Sequence, residues 1–125
     1  MRKVAVIAVE EPVHIDANRV GDIVDELGEH AAQNVIGLAL EQIASGLKVV
    51  DAAFADDDLA QVSDRAARLA RLAWQVGLVT LSGIAIDVVA CCSLRDRPAL
   101  AATVARLLRV GNRSVTQIWD STEWD

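Results

Sequence analysis

The sequence predicts an all-α protein, namely an up-and-down antiparallel four-helix bundle with a short extra N-terminal helix. Alanine, leucine and valine dominate while aromatic residues make up only 3% of the chain, a composition that favours helices over a β-sandwich. Apolar residues recur three and four positions apart in successive segments, and the connections between these segments are short. We expect a single domain over residues 1–125, with an extended lead-in at 1–13 and a loose tail at 121–125.

The first two helices are bounded by residues with known capping chemistry. Pro12 keeps the preceding residue extended, Asp16 is a good N-cap, and Gly28 is a plausible stop for a short first helix. The second helix is expected from about Glu29 to Phe54, with Gly37 and Gly46 allowing close contact between helices. Its predicted buried side carries Val35, Leu38, Ile43, Leu47, Val50 and Phe54.

The acidic cluster Asp56–Asp57–Asp58 is expected to end the second helix and to cap the third, because negative charge suits a helix N-terminus. The third helix, predicted from Asp58 to Gly77, has the most regular pattern in the chain. Its apolar stripe consists of Leu59, Val62, Ala66, Leu69, Ala73 and Val76. The fourth helix follows, with a buried side predicted at Leu78, Leu81, Ile84, Val88 and Cys92. Pro98 suits the first turn of the fifth helix, in which Gly111–Asn112 is expected to cause a bend or fraying.

Composition limits the functional classes. The net charge of −6 argues against nucleic-acid binding as the main function, because neutralising phosphates needs a basic surface. Cys91 and Cys92 are interpreted as small buried side chains, since His14 and His30 provide no ligands at metal-binding spacing. No segment predicts a membrane span or a bound cofactor, and no catalytic motif is present. We therefore expect a cytoplasmic protein that is not an enzyme.

Three features of the chain resemble one known family. They are the Pro-Val-x-Ile-Asp lead at Pro12–Asp16 with a first helix closing at Gly28, the acidic start of the third helix at Asp57–Leu59, and the end of that helix at Gly77. In this layout the chain is similar to the histidine-containing phosphotransfer (Hpt) domains of bacterial phosphorelays. The resemblance covers residues 12–115 and implies a four-helix bundle that docks on receiver domains.

The departures from the Hpt pattern fall on the residues that carry the chemistry. Alignment on Val76–Gly77 places Ala67 where the family has its phosphorylated histidine, Ala70 where it has lysine, and Arg71 where it has glycine. Gln75 takes a position that is commonly polar. Phosphoryl transfer requires a nucleophile and a nearby cation, and alanine supplies neither. The resemblance therefore implies a degenerate member without phosphotransfer activity.

The candidate partner-binding residues all lie on the third helix. Arg65, Arg68 and Arg71 are spaced by three residues, as on one exposed face that would meet the acidic rim of a receiver domain. The competing interpretation is a solvated face with an Asp64–Arg68 pair of small value. The complete candidate set is Asp64, Arg65, Ala67, Arg68, Arg71 and Gln75.

The leading hypothesis is an Hpt-like docking or regulatory module for a receiver domain or a histidine-kinase domain. The alternative is a structural or self-associating helical bundle, for which a homodimer is possible. A third possibility is phosphotransfer through His30, although a surface histidine is the favoured interpretation of that residue. Trp74 is expected to pack in the core, with an interface anchor as the alternative. Trp119 and Trp124 either fold back onto the bundle or mediate dimer contact.

Overall fold

A computed structural model describes residues 12–121, without the side chains of residues 119–121. It contains five helices: α1 (Ala17–Leu27), α2 (Glu29–Ala55), α3 (Leu59–Gln75), α4 (Val79–Leu94) and α5 (Arg97–Ser121). No strand occurs over residues 12–121, so the all-α prediction is confirmed. Residues 1–11 of the predicted lead-in, residues 122–125 of the predicted tail, and the side chains of Trp119 and Trp124 lie outside the described residues.

Three of the helices, α1, α3 and α5, begin beside an aspartate whose carboxylate accepts hydrogen bonds from the N-terminal backbone. The Asp16 carboxylate accepts hydrogen bonds from the first backbone N–H groups of α1, and the Asp58 carboxylate accepts one from Gln61 at 3.1 Å in α3. Asp96 does the same for Ala99 at the start of α5, at 3.1 Å. These bonds pair N–H groups that a helix N-terminus otherwise leaves unsatisfied. The caps predicted at Asp16 and Asp58 are confirmed.

The helices pack around one core. Helix α2 contacts α3 and α5, helix α4 contacts the same two, and α1 packs on α2. The predicted stripe of α3 is buried, apart from a half-buried Leu59. The largest fully buried side chains come from all four long helices and from the turn before α4: Ile36, Ile43, Val50, Val62, Leu69, Leu78, Leu81, Val88, Leu100, Leu107, Val110 and Ile118.

The buried side of α2 differs from the prediction. Val35 and Leu38 are 47% and 57% exposed, so their predicted burial is wrong, and Phe54 is half-buried. Apolar residues lie on more than one side of α2, and periodicity then does not determine which stripe faces the core. The buried stripe consists of Ala32, Ile36, Leu40, Ile43, Leu47, Val50 and Ala53.

Two glycines allow α3 and α5 to approach α2 closely. A Cβ at Gly46 would lie 2.8 Å from Leu69 Cδ2, and a Cβ at Gly111 would lie 2.6 Å from Leu47 Cδ1. The close contact predicted at Gly46 is confirmed. The fraying that was one of two expectations at Gly111–Asn112 is wrong, because α5 continues through both residues. At both glycines, the absence of a Cβ makes room for a leucine side chain of the neighbouring helix.

Candidate protein-binding surface on α3 and α4

The segment before α1 holds the turn between α3 and α4 in place. The backbone N–H of Asp16 donates to the Gly77 carbonyl at 2.7 Å, and that of His14 donates to Thr80 Oγ1 at 2.7 Å. Ile15 forms an isolated antiparallel bridge with Leu78. These bonds join residues more than 60 positions apart in sequence, so they fix where α3 ends and α4 begins.

Gln75, the last residue of α3, contributes through its backbone. Its carbonyl accepts a hydrogen bond of 3.2 Å from Arg19 Nε, while its side chain is exposed. The polar side chain predicted for a partner surface is therefore accessible. The carbonyl joins the end of α3 to α1.

A shallow apolar groove of about 410 Å³ runs between α3 and α4. Trp74 and Ile86 border it and are 59% and 57% exposed. The predicted core role of Trp74 is wrong, because one residue beyond the buried Ala73 the side chain points about 100° away from the stripe. The groove is lined by Ala67, Ala70, Arg71, Trp74, Ser82, Ile86 and Val89.

Ala67 and Ala70 differ in accessibility. Ala67 is half-buried and lines the groove, whereas Ala70 is only 8% exposed. The buried hydroxyl of Ser82 donates to the Ala70 carbonyl at 2.9 Å, which ties α4 to the α3 backbone at this point. The groove thus presents methyl groups, and no nucleophile, at the position that the resemblance gives to histidine.

The three arginines of α3 do not line a single groove. Arg65 and Arg68 line a groove against α2, and Arg71 lines the groove against α4. The reason is geometric, since each step of three residues turns by about 300° and six residues leave a net rotation of about 120°. The candidate surface is divided by the ridge of α3.

The charges of the candidate set lie at the surface. Asp64, Arg68 and Arg71 are exposed, and Arg65 is half-buried. The ion pair considered between Asp64 and Arg68 is not formed in the described part of the chain. These groups therefore add little to the stability of the isolated protein, and they are accessible to a partner.

The remaining candidate groups lie elsewhere. His14 and His30 are exposed. Cys92 is buried and Cys91 half-buried, and both are free thiols. Burial raises the pKa of the Cys92 thiol, and the neighbouring Cys91 charge raises it further. Over residues 12–121, no group of three or more His, Cys, Asp or Glu side chains is placed to hold a metal, and no helix is long and apolar enough to cross a membrane.

The α4 side of the groove was absent from the sequence prediction. Ser82, Ile86 and Val89 lie beside or opposite the predicted stripe of α4. One signal was present, because α4 carries apolar residues around most of its circumference, more than a one-sided helix requires. The exposed Ile86 and Leu94, which is 77% exposed, are two of the apolar residues of α4 that do not face the core.

Comparisons of the chain with protein-family models, curated proteins and solved structures find no match. The described residues define an all-helical protein in which α3 is flanked by two grooves, one apolar and one bordered by arginines.

Proposed function

We propose that the chain is an Hpt-like docking module of bacterial two-component signalling that does not transfer phosphate and that binds a response-regulator receiver domain through α3 and α4. One observation carries this proposal. The exposed Trp74 and Ile86 border an apolar groove that contains Ala67, the residue which the resemblance places at the phosphoacceptor position.

The helix order supports this proposal. Each of α2, α3, α4 and α5 packs against two others, and the successive connections span two or three residues. Short connections favour antiparallel neighbours. We infer an up-and-down antiparallel four-helix bundle with α1 as the extra helix, which is the layout that an Hpt-like protein requires.

The chemistry of the groove supports protein binding over catalysis. Tryptophan and arginine are among the residue types enriched in binding hot spots. Arg71 borders the same groove as Trp74, and a cation there complements the acidic rim of a receiver domain. The methyl group of Ala67 accepts no phosphate. Such a module would occupy a receiver domain without exchanging phosphate with it.

The test compares Trp74→Ala with Leu94→Ala, which removes a similarly exposed apolar side chain at the far end of α4. The full chain is used to capture the host's receiver domains, and the affinity of any complex is measured by calorimetry. We expect Trp74→Ala to weaken binding by about 30-fold, the loss typical of a hot spot, and Leu94→Ala by less than about twofold.

Two outcomes would contradict the proposal. One is a folded wild-type chain that binds none of the receiver domains. The other is a complex that Trp74→Ala leaves unchanged. If the chain captures a histidine-kinase domain and no receiver domain, the docking partner is the kinase domain.

A second candidate function is self-association of a structural helical bundle. It is favoured by the two exposed apolar residues on α2, Val35 and Leu38, which lie apart from the α3–α4 groove. Sedimentation velocity over a range of concentrations tests it. A tight dimer that buries the face from Arg65 to Arg71 would favour self-association, because that face would then be closed to other proteins.

A further inference from the structure

We propose that the groove between α2 and α3 is a second site, which binds a small organic anion through Arg65 and Arg68. The ligand class is a carboxylate or phosphate attached to a compact apolar body. This site lies on the other side of α3 from the Trp74 groove and is independent of the docking function.

The groove has the size and lining of a small ligand site. Its volume is about 370 Å³, near the lower end of the roughly 300–1,000 Å³ usual for ligand pockets. It forms where α2 presents the small residues Ser45 and Gly46 to α3, and Leu69 packs into the space over Gly46. Val49 and Leu72 add apolar surface, so one side of the groove suits a hydrocarbon or aromatic body.

The guanidinium groups of the two arginines of this groove have no partner within the described residues: neither group makes a hydrogen bond, an ion pair or a ring contact. Other arginines are engaged, for example Arg19 with the Gln75 carbonyl and Arg97 with Asp57. The chain has 18 acidic and 12 basic residues, so carboxylates are in excess. Two adjacent cations without a partner among residues 12–121 of an acidic protein are therefore available to an external anion.

The charges and polar groups of the groove define the ligand further. A guanidinium donates two parallel hydrogen bonds to a carboxylate or phosphate, and Arg65 is half-buried, which reduces solvent screening. Gln42 and Ser45 offer neutral donors beside it. Glu41 also lines the groove and opposes an anion, so the formal charge of the site is one positive unit. A ligand with a single anionic group is the best match.

The experiment titrates the isotope-labelled full chain with four probes and follows backbone amide signals by NMR. Benzoate and phenyl phosphate carry the two anionic groups on one aromatic body, inorganic phosphate lacks the body, and benzyl alcohol lacks the charge. We expect saturable shifts at Gly46 and its neighbours with benzoate or phenyl phosphate, and the stronger of the two identifies the preferred anion. Inorganic phosphate and benzyl alcohol should bind at least about tenfold more weakly.

Variants separate specific binding from general attraction to positive charge. We expect Arg65→Gln combined with Arg68→Gln to weaken binding about tenfold or more, and Glu41→Gln to strengthen it about two- to threefold. Arg71→Gln removes a charge of the same helix on the opposite groove and should change the affinity less than about twofold. Ser45→Leu fills the groove without altering charge and should abolish binding, which keeps the test valid if the double variant fails to fold.

Three results would overturn the proposal. The first is the absence of saturable shifts with either aromatic anion up to about 20 mM. The second is unchanged binding in the double variant, and the third is a loss of affinity in Arg71→Gln as large as that in the double variant. Trp74→Ala is expected to leave anion binding intact, so failure of this site and failure of the docking function are distinguishable.

Discussion

The guanidinium of Arg97 lies over the ring of Phe54, with its central carbon 4.4 Å from the ring centroid. The same guanidinium donates to the carboxylate of Asp57. Arg97 opens α5 and Phe54 lies in the last turn of α2, so one side chain connects two helices that are distant in sequence. The contributions of the stack and of the ion pair to stability can be separated by their salt dependence. Salt screens an exposed ion pair more than it affects packing on a ring.

We expect Arg97→Ala to lower the free energy of unfolding by about 1 kcal/mol, most of it from the ring contact. Asp57→Asn should cost less than about 0.5 kcal/mol, since both charged side chains are largely exposed. Urea denaturation in low salt and in 1 M salt checks both values. A larger loss in Asp57→Asn than in Arg97→Ala would show that the ion pair is the main contribution.

A second prediction concerns glycines inside helices. A Cβ at Gly111 would meet the buried Leu47 side chain, so Gly111→Val is expected to destabilise the protein by about 1–3 kcal/mol. Gly83 is the matched control, because it lies within α4 and no heavy atom comes within 4 Å of an added Cβ. Gly83→Ala should stabilise by about 0.5–1 kcal/mol through helix propensity. Destabilisation by Gly83→Ala, or none by Gly111→Val, would contradict this description of helix packing.

The turn between α3 and α4 gives a third prediction. Gly77 and Gly28 have nearly equal φ values of 82° and 83°, but only at Gly77 does an added Cβ meet backbone, 2.8 Å from the Asp16 carbonyl oxygen. Gly28→Ala should cost about 1–2 kcal/mol from backbone strain alone. Gly77→Ala should cost at least about 1 kcal/mol more, because the segment around Asp16 must also move. Thermal denaturation of both variants tests the difference, and equal losses would show that the segment does not hold the turn.

Features determined by neighbouring residues were predictable from sequence. Asp16 and Asp58 were recognisable as caps because a cap depends only on residues within one helical turn. The buried side of α3 was also correct, since a single narrow stripe has one possible orientation towards a core. The buried side of α2 was harder to predict, because Val35 and Leu38 place apolar residues on a second side of the helix.

The candidate surface depended on packing between helices and was only partly predictable. Ala67 and Arg71 do line the α3–α4 groove, but the contribution of Ile86 follows from how α4 packs on α3. The separation of Arg65 from Arg71 follows from the helical repeat alone. The exposure of Trp74 was mispredicted because a large apolar residue beside a stripe can turn either way.

Cys92 is expected to make stability depend on pH in alkaline solution. Burial raises its pKa above the ordinary value of 9.0, so the folded protein keeps the thiol proton longer than the unfolded chain does. The corresponding stability is fully present below the unfolded-state pKa and is lost as pH rises towards the folded-state pKa. Since the chain contains no tyrosine, few other groups titrate in that range. Urea denaturation above pH 8 should show a steeper decline for the wild type than for Cys92→Ala, and parallel curves would contradict the prediction.

The last prediction tests Ala67 and Ala70, the two alanines that the Hpt resemblance places at the reactive positions of that pattern. Ala67 is half-buried beside an open groove of about 410 Å³, so Ala67→His should cost less than about 1 kcal/mol. Ala70 is 8% exposed and lies against Ser82, so Ala70→Lys must displace α4 or bury part of a charged chain, at a cost of about 2 kcal/mol or more.

Urea denaturation of both variants gives the comparison, and carbethoxylation of the introduced imidazole, with the exposed His30 as internal reference, measures its accessibility. If Ala67→His loses much stability and its imidazole is unreactive, residue 67 packs against the core. The alignment that places Ala67 at the histidine of the Hpt pattern would then be wrong. If Ala67→His is stable and its imidazole reacts, the groove has room for a nucleophile at residue 67. If Ala70→Lys is strongly destabilised as well, the packing of α4 excludes a cation at residue 70. Under the proposed function, phosphotransfer through residue 67 would also need a cation from another position bordering the groove, for which Arg71 is the nearest candidate in the sequence.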